Sequence, residues 1–242
     1  MKPQFAIAIQ YYAGDRDRAL ALAALIVDLE RAPRDDVIML LVNRFDSDPP
    51  DAATMFHVVQ KMPVQSYTTT TPERGWPDGC NAMAKDTIRK VGELVALMPT
   101  WENVSGVLLM EPDCIPIMHG WIDAVRLGWV SALFDNRWLL GAWRNGGGVL
   151  GHINGNMVIR PDLYKLIDWG SLPSGLAWDC AISPQVHEHW RDTHLICNRW
   201  LETNLSDHQI KTHRDQAAKG FPVLVHGVKD DSVWNYAKKQ IT

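Results

Sequence analysis

Strand-like and helix-like apolar segments alternate along the first half of this chain. Short apolar stretches at 5–10, 37–43, 64–68 and 107–110 predict buried strands. Segments of helical spacing follow them at 15–31, 51–61, 78–98 and 120–134. Strands that alternate with helices of this length favour a mostly parallel sheet covered by helices on both faces. The first half is therefore predicted to be a Rossmann-like α/β unit.

The second half has a less regular pattern. It predicts a loop at 144–148, a strand at 152–160, a short helix from Pro161 and a helix after Trp178 and Asp179. A last strand at 221–226 and a last helix at 231–239 follow. We expect these strands to extend the same sheet, so that residues 1–242 form a single domain.

Composition excludes several classes of protein. Among 242 residues, 46% are hydrophobic and 21% charged, a balance that excludes intrinsic disorder. The net charge of −4 excludes a strongly basic nucleic-acid binder. The longest apolar run, 19–27, is too short to span a bilayer, and the stretch at 5–9 is shorter than a signal-peptide core. We therefore expect no membrane span. Four dispersed cysteines fit a reduced, cytoplasmic protein: Cys80, Cys114, Cys180 and Cys197.

Two carboxylates follow the fourth predicted strand. Glu111 and Asp113 are spaced so that an extended segment presents both on one face, and Pro112 disfavours a helix there. Ligands of open α/β sheets bind at the carboxyl ends of strands, where such a pair can hold a divalent cation against a diphosphate. A solvated turn at the strand end is the alternative interpretation.

The last predicted strand ends in a similar group. His226 follows an apolar run, Gly227 would allow close approach of a phosphate, and Lys229 would supply a positive charge. A neutral imidazole is a good metal ligand, although a lone histidine is more often structural. Together with the two carboxylates, His226 favours Mn²⁺ somewhat over Mg²⁺.

Six segments taken in chain order resemble the GT-A glycosyltransferases, which use nucleotide sugars. No single segment is specific; their common order, which covers most of the chain, carries the resemblance. The segments are 5–11, 75–81, 111–113, 152–156, 178–179 and 226–229.

The resemblance implies a GT-A fold and a role for each segment. A metal site for Mn²⁺, or Mg²⁺, is implied at Glu111, Asp113 and His226, and Asp179 is implied as the catalytic residue facing the acceptor. Contacts with a nucleoside-diphosphate sugar are implied at Gln10, Tyr11, Arg18, Asn43, Trp76, Gly79, Asn81, Glu111, Asn154, Gly155, Asn156, Gly227 and Lys229. Residues 1–118 would then be a nucleotide-binding half and 119–242 an acceptor and metal half.

Three positions depart from the family's pattern. Glu111 stands where the family has Asp, so Asp113 would carry most of the coordination and ribose binding is an alternative role for Glu111. Asn43 ends a strand where many relatives have an acid that recognises the base, which leaves the nucleotide open. Asp179 lacks the neighbouring acid that often precedes it.

The activity implied is metal-dependent, hexosyltransferase-like transfer of a sugar to an acceptor hydroxyl. The metal and Lys229 would neutralise the departing diphosphate. Asp179 would act as base in an inverting enzyme and would position a reactant in a retaining one. Which stereochemistry applies is left open.

The acceptor and two rival functions also stay open. A glycan, a small molecule and a hydroxymethylated DNA base, which compact viral glycosyltransferases use, are all compatible with the chain. A sugar-nucleotide pyrophosphorylase is the rival enzyme, but residues 11–15 lack the glycine-rich signature of that class. A non-catalytic nucleotide-sugar-binding module is the other rival.

Several further features are ambiguous. Stacking on a sugar is predicted for Trp76, Trp143 and Trp178, and a place in the core for Trp121, Trp129, Trp169, Trp200 and Trp234. The glycine run 146–148 is interpreted as a mobile loop over the donor. His187–His189 are placed in a helix without metal-binding spacing. A basic cluster could meet a phosphate-bearing acceptor and contains Lys211, His213, Arg214 and Lys219.

Overall fold

The largest sheet contains seven strands. A computed structural model describes residues 2, 4–146, 149–213 and 220–241. Within them, β1 and β2 pair in parallel, as do β1 and β4, and β2 and β3, whereas β7 is antiparallel to β4 and β6. The strand order is β3-β2-β1-β4-β7-β6-β8, with β1 at Phe5–Tyr11, β2 at Val37–Asn43, β3 at Val64–Thr68, β4 at Gly106–Met110, β6 at Leu139–Gly146, β7 at Val149–Ile159 and β8 at Trp190–Asp192.

Helices cover both faces of this sheet. Side chains of β1 alternate between two core clusters, with Ile7 and Ile9 on one face and Ala6 and Ala8 on the other. Helices α1 and α4 pack on the first face, and α3 and α6 on the second. The helices are α1 at Arg16–Leu29, α2 at Ala52–Val59, α3 at Asp78–Leu97, α4 at Trp121–Phe134, α5 at Leu163–Leu166, α6 at Trp178–Val186, α7 at Asp207–Lys211 and α8 at Ser232–Lys238.

A second, three-stranded sheet corrects the prediction that every late strand extends the first. Strand β10 (Leu224–His226) lies between β5 (Cys114–Pro116) and β9 (Ile196–Asn198). The antiparallel register sets His226 opposite Cys114, next in the chain to Asp113. Apolar pattern predicts that a segment is a strand but not which sheet it joins, so only β6, β7 and β8 extend the main sheet as expected.

Three local predictions differ from the structure. Residues 144–146 belong to β6 rather than a loop, because pairing with β7 outweighs the local preference of the glycines; Gly147 and Gly148 lie outside the described residues. His187–His189 follow α6 rather than lying in it, since the His189 carbonyl accepts the N–H groups of Trp138 and Leu139. The last strand begins at Leu224 rather than at residue 221.

Two further observations concern the cysteines and the helices. All four cysteines are free thiols. In the part of the chain that is described, no helix has the length and apolar character needed to cross a membrane.

Candidate metal centre and ligand cleft

A cleft opens at the carboxyl ends of β1 and β4. This is where an open α/β sheet places its ligands, because the loops after parallel strands diverge there. Its walls come from the end of β1, the start of α1, the first two turns of α3, the segment after β4, the start of α6 and the loops after β9 and β10. The lining residues are Gln10, Tyr12, Asp15, Arg18, Cys80, Met83, Glu111, Pro112, Asp113, Trp178, Trp200 and Lys229.

Glu111, Asp113 and His226 converge at one end of this cleft. Nε2 of His226 lies 2.8 Å from Oε2 of Glu111 and 3.2 Å from Oδ1 of Asp113. The histidine side chain is 2% exposed, and Nε2 makes no well-aligned hydrogen bond to either oxygen. One imidazole nitrogen and two carboxylate oxygens therefore lie close together without well-aligned hydrogen bonds between them. This donor set suits Mn²⁺ or Mg²⁺.

The charges in this cluster perturb one another strongly. Burial lowers the pKa of His226, but the carboxylates of Asp113 and Glu111 outweigh it and raise that pKa to about 9. Burial raises the pKa of Asp113, but His226 and Lys229 together bring it down to about 2. The shifts of Asp113 and His226 therefore favour the charged form of both groups at neutral pH.

Lys229 extends the positive charge into the cleft. Its Nζ donates to Oδ2 of Asp113 at 3.1 Å and lies 4.3 Å from the centre of the Trp200 ring, a cation–π contact. Gly227 has a positive φ of 87°, and a Cβ there would come within 3.0 Å of Cα of Trp200. In this structure the close approach at Gly227 is therefore made by the Trp200 backbone.

The end of β1 presents alternate side chains to the cleft. Gln10 lines it, is 8% exposed, and has an amide nitrogen with no partner among the described residues. Tyr11 points the other way, with its hydroxyl donating to the Asp48 carbonyl at 3.4 Å, and Tyr12 takes the cleft position instead. Arg18, from the first turns of α1, lines the cleft as the sequence led us to expect.

Asn43 lies outside the cleft. Its side chain donates to the Ser47 carbonyl at 3.1 Å and accepts from Oγ1 of Thr68 at 3.0 Å, and the residue is buried. These bonds join the end of β2 to the turn after it and to the end of β3.

The segment 75–81 divides between surface and interior. Trp76 is 75% exposed and is not part of the cleft wall. A Cβ at Gly79 would lie 2.8 Å from the carbonyl carbon of Arg74, so glycine allows the start of α3 to pack on that backbone. Cys80 and Met83 line the cleft, although neither was among the predicted site residues.

Asn81 joins α3 to the start of α6. Its Nδ2 donates to the Leu176 carbonyl and its Oδ1 accepts from the Trp178 N–H, both at 2.7 Å. The N-cap residue of α6, Ala177, has no side chain able to cap the helix. Asn81 therefore acts as an N-cap supplied from another helix.

Asp179 follows directly in the first turn of α6. Its Oδ1 accepts from the Cys180 N–H at 2.9 Å, and its Oδ2 lies 3.9 Å from Nε2 of His152. Burial raises the pKa of Asp179, and the nearby His152 opposes that shift. Trp178 lines the cleft, whereas the neighbouring Asp179 does not.

The segment 152–156 packs behind the metal cluster. Gly155 brings the backbone near Asp179, where an added Cβ would meet Oδ2 at 3.8 Å. Asn154 accepts from the side chain of Asn156 at 3.2 Å, and Asn156 in turn contacts Glu111. Asn154, Gly155 and Asn156 were predicted to touch a donor sugar; they lie next to the cluster and do not line the cleft.

The tryptophans only partly follow the sequence predictions. Trp121 and Trp129 are buried as predicted, whereas Trp200, assigned to the core, is 48% exposed and lines the cleft. No periodicity surrounds Trp200, so the sequence held no signal for this position. Trp143 stacks on Trp190 at 4.2 Å, and Trp178 is buried apart from its cleft edge.

Comparison with solved structures decides the fold. No family model and no curated protein matches the sequence. A bifunctional glycosyltransferase, WbbM, aligns with 100% of this chain and 50% of its own at a TM-score of 0.55 and 8% identity. Mouse xyloside xylosyltransferase 1 aligns with 92% of this chain and 97% of its own, at a TM-score of 0.51 and 11% identity.

The chain has the GT-A fold. A mannosyltransferase from Pyrobaculum calidifontis, solved with GDP-Man and Mn²⁺, shares it over 79% of this chain at a TM-score of 0.50 and 10% identity. The chain spans 54% of that mannosyltransferase, so it matches about half the length of two of these proteins. The GT-A fold confirms the predicted mostly parallel α/β architecture.

Proposed function

We propose that this protein is a metal-dependent glycosyltransferase that moves a sugar from a nucleoside-diphosphate sugar to an acceptor hydroxyl. One observation carries the proposal: Glu111, Asp113, His226 and Lys229 converge at the carboxyl ends of β1 and β4 of a GT-A fold. The mannosyltransferase with the same fold was solved with GDP-Man and Mn²⁺, the two kinds of ligand proposed here.

The cluster accounts for the chemistry at the leaving group. A divalent cation held by Glu111, Asp113 and His226 would supply charge neutralisation for a diphosphate. Lys229, half-exposed beside Asp113, adds a second positive charge on the same side of the cleft. Gln10 offers an unpaired N–H donor, and Tyr12 and Arg18 complete the wall beside it.

Asp179 is our proposed catalytic residue on the acceptor side. In an inverting reaction it would accept the proton of the attacking hydroxyl, and its pKa, raised by burial, makes it a better proton acceptor than an exposed carboxylate. In a retaining reaction it would hold a reactant in place. A hexose donor is part of the proposal and is the least constrained part.

The acceptor stays a prediction. A glycan or small molecule is our first choice, because exposed Trp200 gives the cleft an aromatic face. Two of the four residues that motivated a hydroxymethylated DNA base, Arg214 and Lys219, lie outside the described residues. The four dispersed cysteines remain the basis for a proposed cytoplasmic location.

A thermal-shift panel tests the proposal. UDP, GDP, ADP, CDP and TDP are each added with and without Mn²⁺. A ligand at 100 times its Kd adds about 2.7 kcal/mol of stability, which raises Tm by about 5–10 °C for a chain of this size. We expect one nucleotide to raise Tm, and only in the presence of Mn²⁺.

Asp113→Ala should abolish this shift, whereas Asp135→Ala, which removes an exposed acid at the end of α4, should keep it. A flat panel for the wild type would contradict the proposal. Mn²⁺-dependent binding with no sugar transfer to any glycan, small-molecule or DNA acceptor would favour the binding-module alternative.

A further inference from the structure

Asn156 contacts Glu111 through both ends of its amide. Its Oδ1 accepts the backbone N–H of Glu111 at 2.8 Å, and its Nδ2 donates to Oε2 of the same residue at 3.1 Å. Asn156 is fully buried on β7, at the point where β4 stops pairing with that strand. The asparagine side chain thus joins the segment after β4 to β7.

This double contact selects one position for a flexible side chain. Glu111 has one more methylene than aspartate, and its side chain is 52% exposed, so packing alone leaves it several rotamers. The oxygen that Asn156 binds is the same Oε2 that lies 2.8 Å from Nε2 of His226. Asn156 therefore directs Glu111 toward the metal cluster rather than toward a ribose in the open cleft.

Asn198 holds His226 in a similar way. Its Oδ1 lies 2.8 Å from Nδ1 of His226, so Nδ1 donates and the ring is held with Nε2 facing the two carboxylates. Asn198 ends β9, and the pairing of β9 with β10 sets it directly opposite His226. Hydrogen bonds to the second ring nitrogen commonly fix the tautomer and orientation of metal-binding histidines.

We propose that Asn156 and Asn198 are positioning residues that hold Glu111 and His226 in metal-binding orientation. This inference rests on the metal site of the proposed function. It explains how the chain uses glutamate at a position where GT-A relatives have aspartate: the longer side chain is held in place by an amide behind it. It also gives Asn156 a role in orienting a metal ligand, in place of the predicted contact with the donor sugar.

Mn²⁺ titration followed by electron paramagnetic resonance of the free ion tests this without any donor or acceptor. Asn156→Ala and Asn198→Ala should each weaken Mn²⁺ binding about 10- to 100-fold, the usual effect of removing a partner of a metal ligand. Asn198→Asp, which keeps an oxygen for Nδ1, should restore affinity to near that of the wild type. Asn156→Asp should not, because it replaces the donor to Oε2 with a repelling carboxylate.

Asn235→Ala, at an exposed position on α8, is the matched control and should leave Mn²⁺ affinity unchanged. If Asn156→Ala fails to fold, Asn156→Asp and Asn156→Ser carry the test, and the melting temperature without Mn²⁺ reports folding separately. Affinities within twofold of the wild type for both alanine variants would overturn the positioning roles and leave the metal site standing. No Mn²⁺ binding by the wild type would overturn both.

Discussion

Asn81 illustrates how one side chain can serve two distant elements. Its amide joins α3 to the backbone at 176–178, where α6, the helix that carries Asp179, begins. The sequence drew attention to Asn81 for a different reason, a resemblance to a donor-binding segment. The sequence could predict that Asn81 lies near the start of a helix. It could not predict the backbone groups that Asn81 binds, which are 95 and 97 residues away in the chain.

Replacing Asn81 should loosen the start of α6. Asn81→Ala should lower the free energy of unfolding by about 1–2 kcal/mol, the usual loss for an N-cap, because the Trp178 N–H is left without an acceptor. Asn81→Asp should recover part of the loss, since a carboxylate accepts the same bond and is favoured at a helix N-terminus. Urea denaturation of the three proteins measures this; equal midpoints would show that the cap contributes nothing.

The candidate metal ligands were predictable for a physical reason, and their supporting residues were not. Asp113 and His226 follow apolar runs, so the sequence places each at a strand end. No apolar run predicts the metal-supporting roles of Asn156 and Asn198, because the pattern does not distinguish an asparagine in a strand from any other polar residue. Their contacts depend on the pairing of β7 with β4 and of β9 with β10.

At the scale of elements, periodicity predicted the first half well. Strands β1 to β4 and helices α1 to α4 lie within a few residues of the predicted bounds, because each is long enough to show a regular pattern. Elsewhere in the chain, strands of three residues such as β5, β9 and β10 are shorter than any such pattern. Their existence depends on pairing partners from distant parts of the chain.

An ion cluster connects α1, β2 and α4. Arg34, with a side chain 12% exposed, pairs with Glu30 and Asp36 at 2.9 Å and with Asp123 at 2.8 Å. Hydrogen bonds from Arg34 hold the pKa of Asp36 below its ordinary value, against the opposing effect of burial. The carboxylate therefore stabilises the fold when it is ionised.

Asp36→Asn should cost about 1.5–3 kcal/mol of stability at neutral pH, the range for hydrogen bonds to charged groups. Because the folded pKa of Asp36 is depressed, its contribution is full above about pH 4 and is lost as the pH falls further. Denaturation at pH 7 and at pH 3 should thus show a stability gap between variant and wild type that narrows in acid. A gap of equal size at both pH values would contradict this account of Asp36.

Across the whole molecule, the candidate metal site spans two sheets. Glu111 and Asp113 leave the main sheet after β4, whereas His226 belongs to the small sheet. The order of motifs along the sequence was enough to predict the GT-A fold. The division into two sheets was not, because no feature of residues 221–226 distinguishes one more strand of the main sheet from the central strand of a separate sheet.

Metal binding should therefore protect both sheets at once. With saturating Mn²⁺, we expect slower amide hydrogen exchange at 224–226 and in the paired strands β5 and β9, as well as at 111–113. Mass spectrometry of exchange with and without Mn²⁺ measures this, and Asp113→Ala should show no change. Protection confined to 111–113 would mean that His226 does not take part in binding.

The central place of β10 has a consequence for biogenesis. A ribosome adds about 5–20 residues per second, so β1, β2, β3 and β4 can pair with one another while the C-terminal part is still being synthesised. In the described part of the chain, β5 and β9 share a sheet only through β10, so each lacks its pairing strand until residues 224–226 emerge. The third candidate ligand emerges in the same three residues, so a nascent chain would gain the complete small sheet and the full set of candidate metal ligands in one late event.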